Sequence, residues 1–202
     1  MDFGASLQAA TLTDMAHDPR HLPSSLPAPV DDGACDHILG LRIPDVHLPS
    51  TRGGSIGLVS ATERTAVIYV YPRTGVPGVE MPDGWDAIPG ARGCTPQSCS
   101  YRDDYAAFQA VRVDVYGLST QSTEAQMEFV EREHIPFPLL SDPGRLLGSA
   151  LELPTFTAGG DVLYRRVTLI VEAGRVVHVR YPVFPPNRDA EETLTWLRST
   201  RS

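Results

Sequence analysis

A continuous apolar run is the clearest structural signal in the chain. Residues 65–71 read Thr-Ala-Val-Ile-Tyr-Val-Tyr and end at Pro72. Such a β-rich run is typical of a central strand that is buried on both faces. Upstream, residues 43–49 predict a short edge strand, because the prolines within them cannot donate to a β-ladder. A Gly-Gly pair at 53–54 then predicts a turn.

The predicted structure changes at Gly93 from an irregular loop to a helix. Residues 73–93 hold four glycines before Gly93 and three prolines, so they predict a long irregular loop. The next residues predict a helix over about 96–110, since a Thr-Pro pair favours a helix start. Its inward stripe is formed by aromatic side chains at helical spacing, namely Tyr101, Tyr105 and Phe108.

The second half of the chain predicts further strands and helices in alternation. These are a strand over 113–118, a helix from the cap Ser122 to about Glu133, a short helix from the cap Asp142 to Ala150, strands over 166–171 and 175–180, and a final helix capped by Asp189. The order β-α-β-α-β-β-α, with two helices between the middle strands, predicts an α/β, thioredoxin-like fold. Its central mixed sheet is flanked by helices.

The chain length suits one domain plus an extension. With 202 residues it can bury a single sizeable core. Residues 1–36 are rich in proline and show little periodicity, so they predict a loosely ordered N-terminal arm. We therefore expect two parts, an arm over residues 1–36 and a catalytic domain over residues 37–202.

Composition excludes several classes of function. The net charge of −8 and a pI near 5.2 disfavour binding to nucleic acid, which needs a clustered basic surface. No apolar run approaches the roughly 20 residues that span a bilayer, and no signal peptide is recognisable, so we expect a cytoplasmic protein that does not bind membranes. All 17 basic residues are arginines, which excludes a phosphate-loop lysine and a Schiff-base lysine.

Two of the three cysteines lie where a helix is predicted to begin. The sequence Gly93-Cys94-Thr95-Pro96-Gln97-Ser98-Cys99 follows the glycine-rich loop. Unpaired N–H groups and the positive end of the helix dipole favour a thiolate there, so Cys94 is predicted to be a nucleophile. In ideal helix geometry the Cα atoms of Cys94 and Cys99 are about 8 to 9 Å apart. A disulfide tolerates about 7 Å, so pairing these cysteines requires local unwinding of the helix.

Other interpretations of the cysteines stay open at this point. Both Cys94 and Cys99 can be small buried hydrophobic residues. Structural zinc has less support, because no second pair of cysteine or histidine ligands accompanies them. Cys35, in the arm, has no partner in sequence and is expected to be a bystander or an intermolecular thiol.

The cysteine motif and three other segments resemble peroxiredoxins of the PrxQ, or bacterioferritin-comigratory-protein, type. These segments are Tyr71-Pro72-Arg73, Gly93-Cys94-Thr95-Pro96-Gln97-Ser98-Cys99, Arg102-Asp103 and Pro136-Phe137-Pro138-Leu139-Leu140-Ser141-Asp142-Pro143. The resemblance covers about residues 40–200. It implies that Cys94 is the peroxidatic and Cys99 the resolving cysteine, joined in an intramolecular disulfide. The implied substrates are hydrogen peroxide and organic hydroperoxides, and the implied reductant is thioredoxin or a similar dithiol.

The resemblance also suggests roles for residues outside the cysteine motif. The active-site arginine of the family precedes a strand that matches Arg-Val-Thr-Leu-Ile-Val, which starts at Arg166. A guanidinium there would hold the thiolate and polarise the peroxide; the alternative is a surface charge at a strand end. No metal, haem or flavin is implied, because two cysteines and an arginine suffice for the chemistry.

One segment departs from the family pattern. The family has a proline seven residues before the reactive cysteine and a threonine three residues before it. Here the corresponding Pro72 stands 22 residues before Cys94, and Ala91 occupies the threonine slot. We expect Thr74 to fold back and supply the missing hydroxyl to the peroxide, with the inserted loop as a flap. The alternative for Thr74 is an ordinary threonine in a turn.

Two rival functions remain from the sequence alone. The first is a thioredoxin-fold redox sensor or partner-binding module with little peroxide turnover, in which the loop 73–93 docks another protein. The second is a thiol-disulfide reductase, which is disfavoured because such enzymes normally carry Cys-x-x-Cys. A monomer or a homodimer is expected.

Overall fold

The computed structural model describes residues 18–200. Its nine strands are β1 (His47–Pro49), β2 (Ser55–Gly57), β3 (Ala66–Val70), β4 (Asp114–Ser119), β5 (Leu139–Ser141), β6 (Thr155–Ala158), β7 (Asp161–Tyr164), β8 (Val167–Glu172) and β9 (Arg175–Arg180). Its α-helices are α1 (Leu58–Ala61), α2 (Cys94–Asp103), α3 (Tyr105–Ala110), α4 (Thr123–Glu133), α5 (Leu146–Ala150) and α6 (Asp189–Thr200). Short 3₁₀ turns lie at Asp36–Ile38, Trp85–Ala87 and Pro186–Arg188.

A five-stranded mixed sheet forms the centre of the molecule. Its strand order is β5-β4-β3-β8-β9, with β3 parallel to β4 and antiparallel to β8. All five residues of β3 are buried, because helices cover both of its faces. The continuous apolar run therefore became the central strand, as predicted. β1 pairs with β2, and β6 pairs with β7, in two separate hairpins.

Alternating side chains of β3 divide the core into two layers. Val67 and Tyr69 face a cluster that includes Cys94, with helices α2, α3, α4 and α6. Ile68 and Val70 face a second cluster with α1 and α5. This alternation follows from the two-residue period of a strand. The reactive-cysteine helix thus rests on one face of the central sheet.

Most predicted elements are present, but several bounds and one cap are wrong. The predicted helix over 96–110 is two helices, because Asp104 leaves helical geometry at φ −93° and ψ 4°. The edge strand predicted over 43–49 shrinks to β1. The helix after Asp142 begins three residues later than predicted, at Leu146, although the Asp142 carboxylate still accepts from the Leu146 backbone N–H at 2.6 Å.

The final helix shows the clearest error. Asp189 was predicted to cap α6, but it is the first residue of that helix, and its carboxylate is fully buried. A preceding 3₁₀ turn at Pro186–Arg188 leads directly into α6, so no exposed cap position exists there. The Asp189 side chain turns instead toward α2. Strands β2, β5, β6 and β7 and helix α1 were not predicted, and each is only three or four residues long.

The segment from residue 18 to Cys35 has no regular secondary structure and passes near the start of α2. Arg20 pairs with Glu133 at 3.1 Å, and the side chain of Leu22 lies near Gly93. Cys35 is buried in the core. Residues 1–17 of the predicted arm lie outside the described residues. None of the helices between residues 18 and 200 is long and apolar enough to cross a bilayer.

Candidate active site

A strand, a loop and a sharp turn together position Cys94 at the start of a helix. β3 ends at Val70, the loop 73–93 returns the chain, and Cys94 is the first residue of α2. Gly93 has φ 102°, in the left-handed region, and a Cβ there would lie 2.3 Å from Cγ of Pro186. Only glycine fits this turn without strain. The Cys94 side chain is therefore set at a helix N-terminus, where an anion is favoured.

The Arg166 guanidinium directly contacts the Cys94 sulfur. Its Nη2 donates to Cys94 Sγ at 3.3 Å, and both side chains are almost fully buried, at 3% and 2% exposure. The same Nη2 donates to the backbone carbonyls of Gly90, Ala91 and Arg92 at 3.3 Å each. A guanidinium held by the loop in this way places a positive charge directly beside the sulfur.

A second group fixes the other side of the guanidinium. Arg166 Nη1 donates to Oε1 of Gln97, and Gln97 Nε2 donates to the Asp189 carboxylate at 2.7 Å. Tyr101 and Thr168 donate to the same carboxylate oxygen at 3.0 and 2.7 Å. Burial raises the pKa of Asp189, and these donors act in the opposite direction. The result is a buried hydrogen-bonded chain from α6 to Cys94.

Cys99 faces away from this network. Its Sγ donates to Oε2 of Glu133 at 3.7 Å, and Glu133 is 1% exposed at the end of α4. Arg20 and Arg132 pair with the same carboxylate at 3.1 and 2.5 Å. Burial raises the pKa of the Cys99 thiol to about 11, and the Glu133 carboxylate adds to this shift. Cys99 is therefore a protonated thiol at neutral pH.

Thr74 is engaged away from the cysteine. It is 6% exposed, and both its backbone N–H and its hydroxyl donate to Oε1 of Gln121, at 2.9 and 3.1 Å. Pro72 is buried just after β3. These contacts anchor the start of the loop, and donation from Thr74 to a peroxide would require its hydroxyl to leave Gln121.

Known proteins match both the sequence and this arrangement. The Redoxin family model matches residues 39–194. Peroxiredoxin bcp1 of Schizosaccharomyces pombe is 34% identical over 151 residues, which cover 73% of this chain and 68% of that relative. The chain belongs to the peroxiredoxin family. The chloroplastic peroxiredoxin Q of Sedum lineare is 29% identical over 163 residues, 80% of this chain and 78% of that relative.

A solved peroxiredoxin structure supports the same assignment. Peroxidoxin BcpB from Mycobacterium tuberculosis has a TM-score of 0.66 and 25% identity, and the match covers 81% of this chain and 98% of that one. The predicted thioredoxin-like fold, with its central mixed sheet flanked by helices, is confirmed. The chain is a peroxiredoxin of the PrxQ and bacterioferritin-comigratory-protein type, and hence a peroxidase among the oxidoreductases.

The peroxiredoxin site contains residues that the sequence alone did not reveal. The structure brings Cys94 and Arg166 into contact, but it leaves Cys99 and Thr74 with other partners. The missed residues are Gln97, Asp189 and Glu133. Gln97 lies within the cysteine motif, so its position in the sequence could have identified it. Asp189 stands 92 residues from Gln97, and no local sequence signal connects the two.

Two further features bear on the chemistry of this peroxiredoxin. Between residues 18 and 200, no cluster of three or more histidine, cysteine or acidic side chains is arranged to hold a metal ion. Cys35 packs in the core with Ile38 and Ile43, and burial raises its pKa to about 12. A buried, protonated thiol is unreactive, which favours the bystander interpretation of Cys35.

Proposed function

We propose that this peroxiredoxin reduces hydrogen peroxide and organic hydroperoxides through the Cys94 thiolate. The observation that carries the proposal is the buried contact between Arg166 and Cys94 Sγ at 3.3 Å, at the N-terminus of α2. The thiolate attacks the terminal peroxide oxygen, an S–O bond forms and the O–O bond breaks. Water or an alcohol leaves after taking a proton, and Cys94 becomes a sulfenic acid.

Cys99 is proposed to resolve this intermediate. Its thiol attacks the sulfenic sulfur, water leaves, and a Cys94–Cys99 disulfide forms. Because the two sulfurs contact different partners, Arg166 and Glu133, the first turns of α2 must unwind for the bond to form. Equal amide-exchange protection of residues 95–101 in the dithiol and disulfide forms would contradict this step. Thioredoxin or a similar dithiol then reduces the disulfide.

Substitution of each cysteine separates the two steps. We expect Cys94→Ser to lose peroxide consumption entirely, because the nucleophile is gone. We expect Cys99→Ser to consume one equivalent of peroxide and then stop, because the sulfenic acid has no resolving thiol. Peroxide consumption coupled to thioredoxin oxidation, followed over one turnover and at steady state, is the measurement. Full turnover in Cys94→Ser would overturn the proposal.

The rate of Cys94 oxidation by hydrogen peroxide distinguishes the redox-sensor alternative from the peroxidase. Ala91 in the threonine slot is the observation that favours a sensor. A Cys94 oxidation rate by hydrogen peroxide no faster than that of free cysteine would support the sensor and contradict the peroxidase. The role predicted for Thr74 is tested in the same assay, since full activity in Thr74→Val would remove it.

Two remaining predictions concern the cellular setting. We propose that the protein is cytoplasmic and that it is a monomer or a homodimer. Cell fractionation tests the first, and sedimentation of the reduced protein tests the second.

A further inference from the structure

The inserted loop, residues 73–93, has a small apolar core of its own. This core forms where the loop packs against the β6–β7 hairpin, apart from the two layers that flank β3. The loop contributes Trp85, Ile88 and Ala91, and the hairpin contributes Phe156, Ala158 and Leu163. This set is the satellite cluster. Trp85 is 4% exposed, and its ring centroid lies 6.0 Å from that of Phe156, so Trp85 is the largest anchor that the loop supplies.

Other contacts tie the same loop to the same hairpin. Arg73, at the start of the loop, pairs with Asp161 of β7. Further along, Pro82 lies against the turn between β6 and β7, where a Cβ on Gly159 would come within 2.9 Å of Cγ of Pro82. The hairpin therefore acts as a platform on which the inserted loop is fixed.

The end of this loop carries the carbonyl groups that hold Arg166. The guanidinium Nη2 donates to the carbonyls of Gly90, Ala91 and Arg92 while it faces Cys94 Sγ. Cys94 Sγ also lies 3.5 Å from the carbonyl oxygen of Ala91. Ala91 thus joins two structures, because its side chain packs in the satellite cluster and its carbonyl contacts the guanidinium.

This packing gives a physical reason for the alanine in the threonine slot. Ala91 is fully buried beside Trp85 and Leu163. A threonine there would add a methyl group and a hydroxyl to apolar space that is already filled. The slot that holds a hydroxyl in the family pattern therefore serves to anchor the loop in this chain.

A cavity of about 560 Å³ lies beside Cys94 and includes Trp85 in its wall. Asp18 and Pro19 of the N-terminal segment line it as well, and Cys94 belongs to the lining contributed by α2. We expect small reagents to reach Cys94 from this cavity, so the reactivity of the thiol reports the charge that surrounds it.

We propose that Trp85 is a positioning residue for the reaction at Cys94. By anchoring the inserted loop on the β6–β7 hairpin, Trp85 keeps the three carbonyls where they fix the Arg166 guanidinium against the sulfur. If the loop shifts, these acceptors are lost and the guanidinium is left with its bond to Gln97. The inference rests on the proposed function, in which Arg166 faces the sulfur during attack on the peroxide.

The first experiment measures alkylation of Cys94 in a Cys99→Ser background with two reagents, anionic iodoacetate and uncharged iodoacetamide. A guanidinium beside the sulfur favours the anionic reagent, whereas the openness of the cavity and the thiolate fraction affect both rates alike. In Trp85→Leu the ratio of the iodoacetate rate to the iodoacetamide rate should fall about threefold or more. Arg166→Gln gives the ratio without a guanidinium. An unchanged ratio in Trp85→Leu would overturn the inference.

Trp196→Leu is the matched control, because it makes the same substitution at the second tryptophan. Trp196 stacks on His178 at 4.4 Å and lies outside the satellite cluster. Its replacement should leave the ratio unchanged. If Trp196→Leu lowers the ratio as much as Trp85→Leu does, the effect is general destabilisation and the positioning role is wrong.

Phe156→Leu tests the same contact from the side of the hairpin. It should also lower the ratio, and the double variant Trp85→Leu/Phe156→Leu should fall little further than either single variant, because both act through one contact. Fully additive losses would contradict a shared anchor.

Ala91→Thr restores the residue of the family pattern and separates packing from a missing hydroxyl. If Ala91 serves the satellite cluster, oxidation of Cys94 by hydrogen peroxide should slow several-fold, because the added atoms displace the loop. Faster oxidation would show that the slot only lacks a hydroxyl, and would overturn the packing role of Ala91.

The peroxide rate keeps this inference distinct from the proposed function. Oxidation of Cys94 by hydrogen peroxide should slow about tenfold in Trp85→Leu. If the unaltered protein is oxidised no faster than free cysteine, the proposed function is wrong, while the alkylation ratio still decides whether Trp85 positions Arg166.

Discussion

Gln97 is the residue that links Cys94 to the far side of the core. Its side-chain amide has an oxygen that accepts and a nitrogen that donates, and one partner needs the acceptor while the other needs the donor. The Asp189 carboxylate can only accept and the Arg166 guanidinium can only donate, so the amide has one satisfactory orientation. Arg166 Nε is buried without a hydrogen-bond partner among residues 18–200, which makes the bond to Gln97 more important for holding the guanidinium. We therefore expect Gln97 to position the Arg166 guanidinium against Cys94.

Substitution of Gln97 tests this positioning role. Gln97→Met keeps the volume and removes both hydrogen bonds, so Arg166 should lose its fixed orientation. We expect Cys94 oxidation to slow about tenfold, which corresponds to about 1.4 kcal/mol. Alkylation of Cys94 should also slow, because Arg166 no longer faces the sulfur. Rates of peroxide reaction and of alkylation at a fixed pH are the measurements.

Thr168→Val is the matched control for Gln97→Met. It removes another donor to the same oxygen of Asp189, at 2.7 Å, without touching Arg166. It should lower stability but leave the rate of Cys94 alkylation unchanged. If both variants slow alkylation equally, the effect of Gln97 is general loss of packing, and the positioning role is wrong.

At the scale of the element, α2 carries Cys94 and Cys99 on different sides. Cys94 starts the helix against Arg166, and Cys99 lies one turn later against Glu133. Glu133 is also tied to Arg132 of its own helix and to Arg20 of the N-terminal segment. The Glu133 carboxylate therefore accepts a hydrogen bond from Cys99 in the folded helix, and its charge adds to the rise in pKa that burial of the thiol causes.

Removal of this carboxylate should free Cys99. Burial is the main cause of the raised pKa of Cys99, and the Glu133 charge adds to it, so the pKa should fall in Glu133→Gln, where the charge is lost while the neighbouring arginines stay. Disulfide formation should then be faster at neutral pH. Alkylation of Cys99 against pH, in a Cys94→Ser background, measures the first effect, and rapid mixing with peroxide measures the second.

Glu128→Gln provides the control on the same helix. Glu128 is 44% exposed and pairs with Arg132 at 2.7 Å, but the structure shows no contact between it and Cys99. Its removal should leave the alkylation curve of Cys99 in place. Equal shifts in the two variants would show that Glu133 acts only as one charge among several on α4.

The elements that the sequence predicted well are those with a local cause. β3 follows from its unbroken apolar run, α4 from the Ser122 cap, whose hydroxyl accepts from Ala125 N–H at 3.3 Å, and the β8–β9 hairpin from its turn. The position of Cys94 at the start of a helix was also predictable from local sequence, because the glycine-rich loop precedes it directly. The contacts of Asp189 and Glu133 were not predictable, because tertiary packing creates them across 92 and 34 residues.

At the scale of the whole molecule, the N-terminal segment and the inserted loop close over one face of a shared core. Arg92 of the loop donates to the backbone carbonyls of Asp18 and His21, at 3.5 and 3.3 Å. Pro29 lies near Gly90. Both core clusters consist of residues beyond position 37, apart from Cys35. Nearly all of both clusters therefore lies within residues 37–202, which we expect to form a domain, and Asp18 and Pro19 of the segment before it line the cavity beside Cys94.

A chain shortened to residues 37–202 tests that division. We expect it to fold cooperatively, because it retains nearly all of both clusters. Loss of the buried Cys35 and of the contacts to the loop should cost about 2 kcal/mol. That cost corresponds to a fall in Tm of about 4 to 8 °C for a domain of this size.

Without Pro19 and Asp18 in the cavity wall, Cys94 should also be alkylated faster. Calorimetry and alkylation kinetics provide the two readouts. Arg20→Gln in the full chain is the control, since it removes only the ion pair with the buried Glu133 carboxylate and leaves the rest of the segment in place. A shortened chain that melts without a cooperative transition would show that the segment before residue 37 is part of the folding unit.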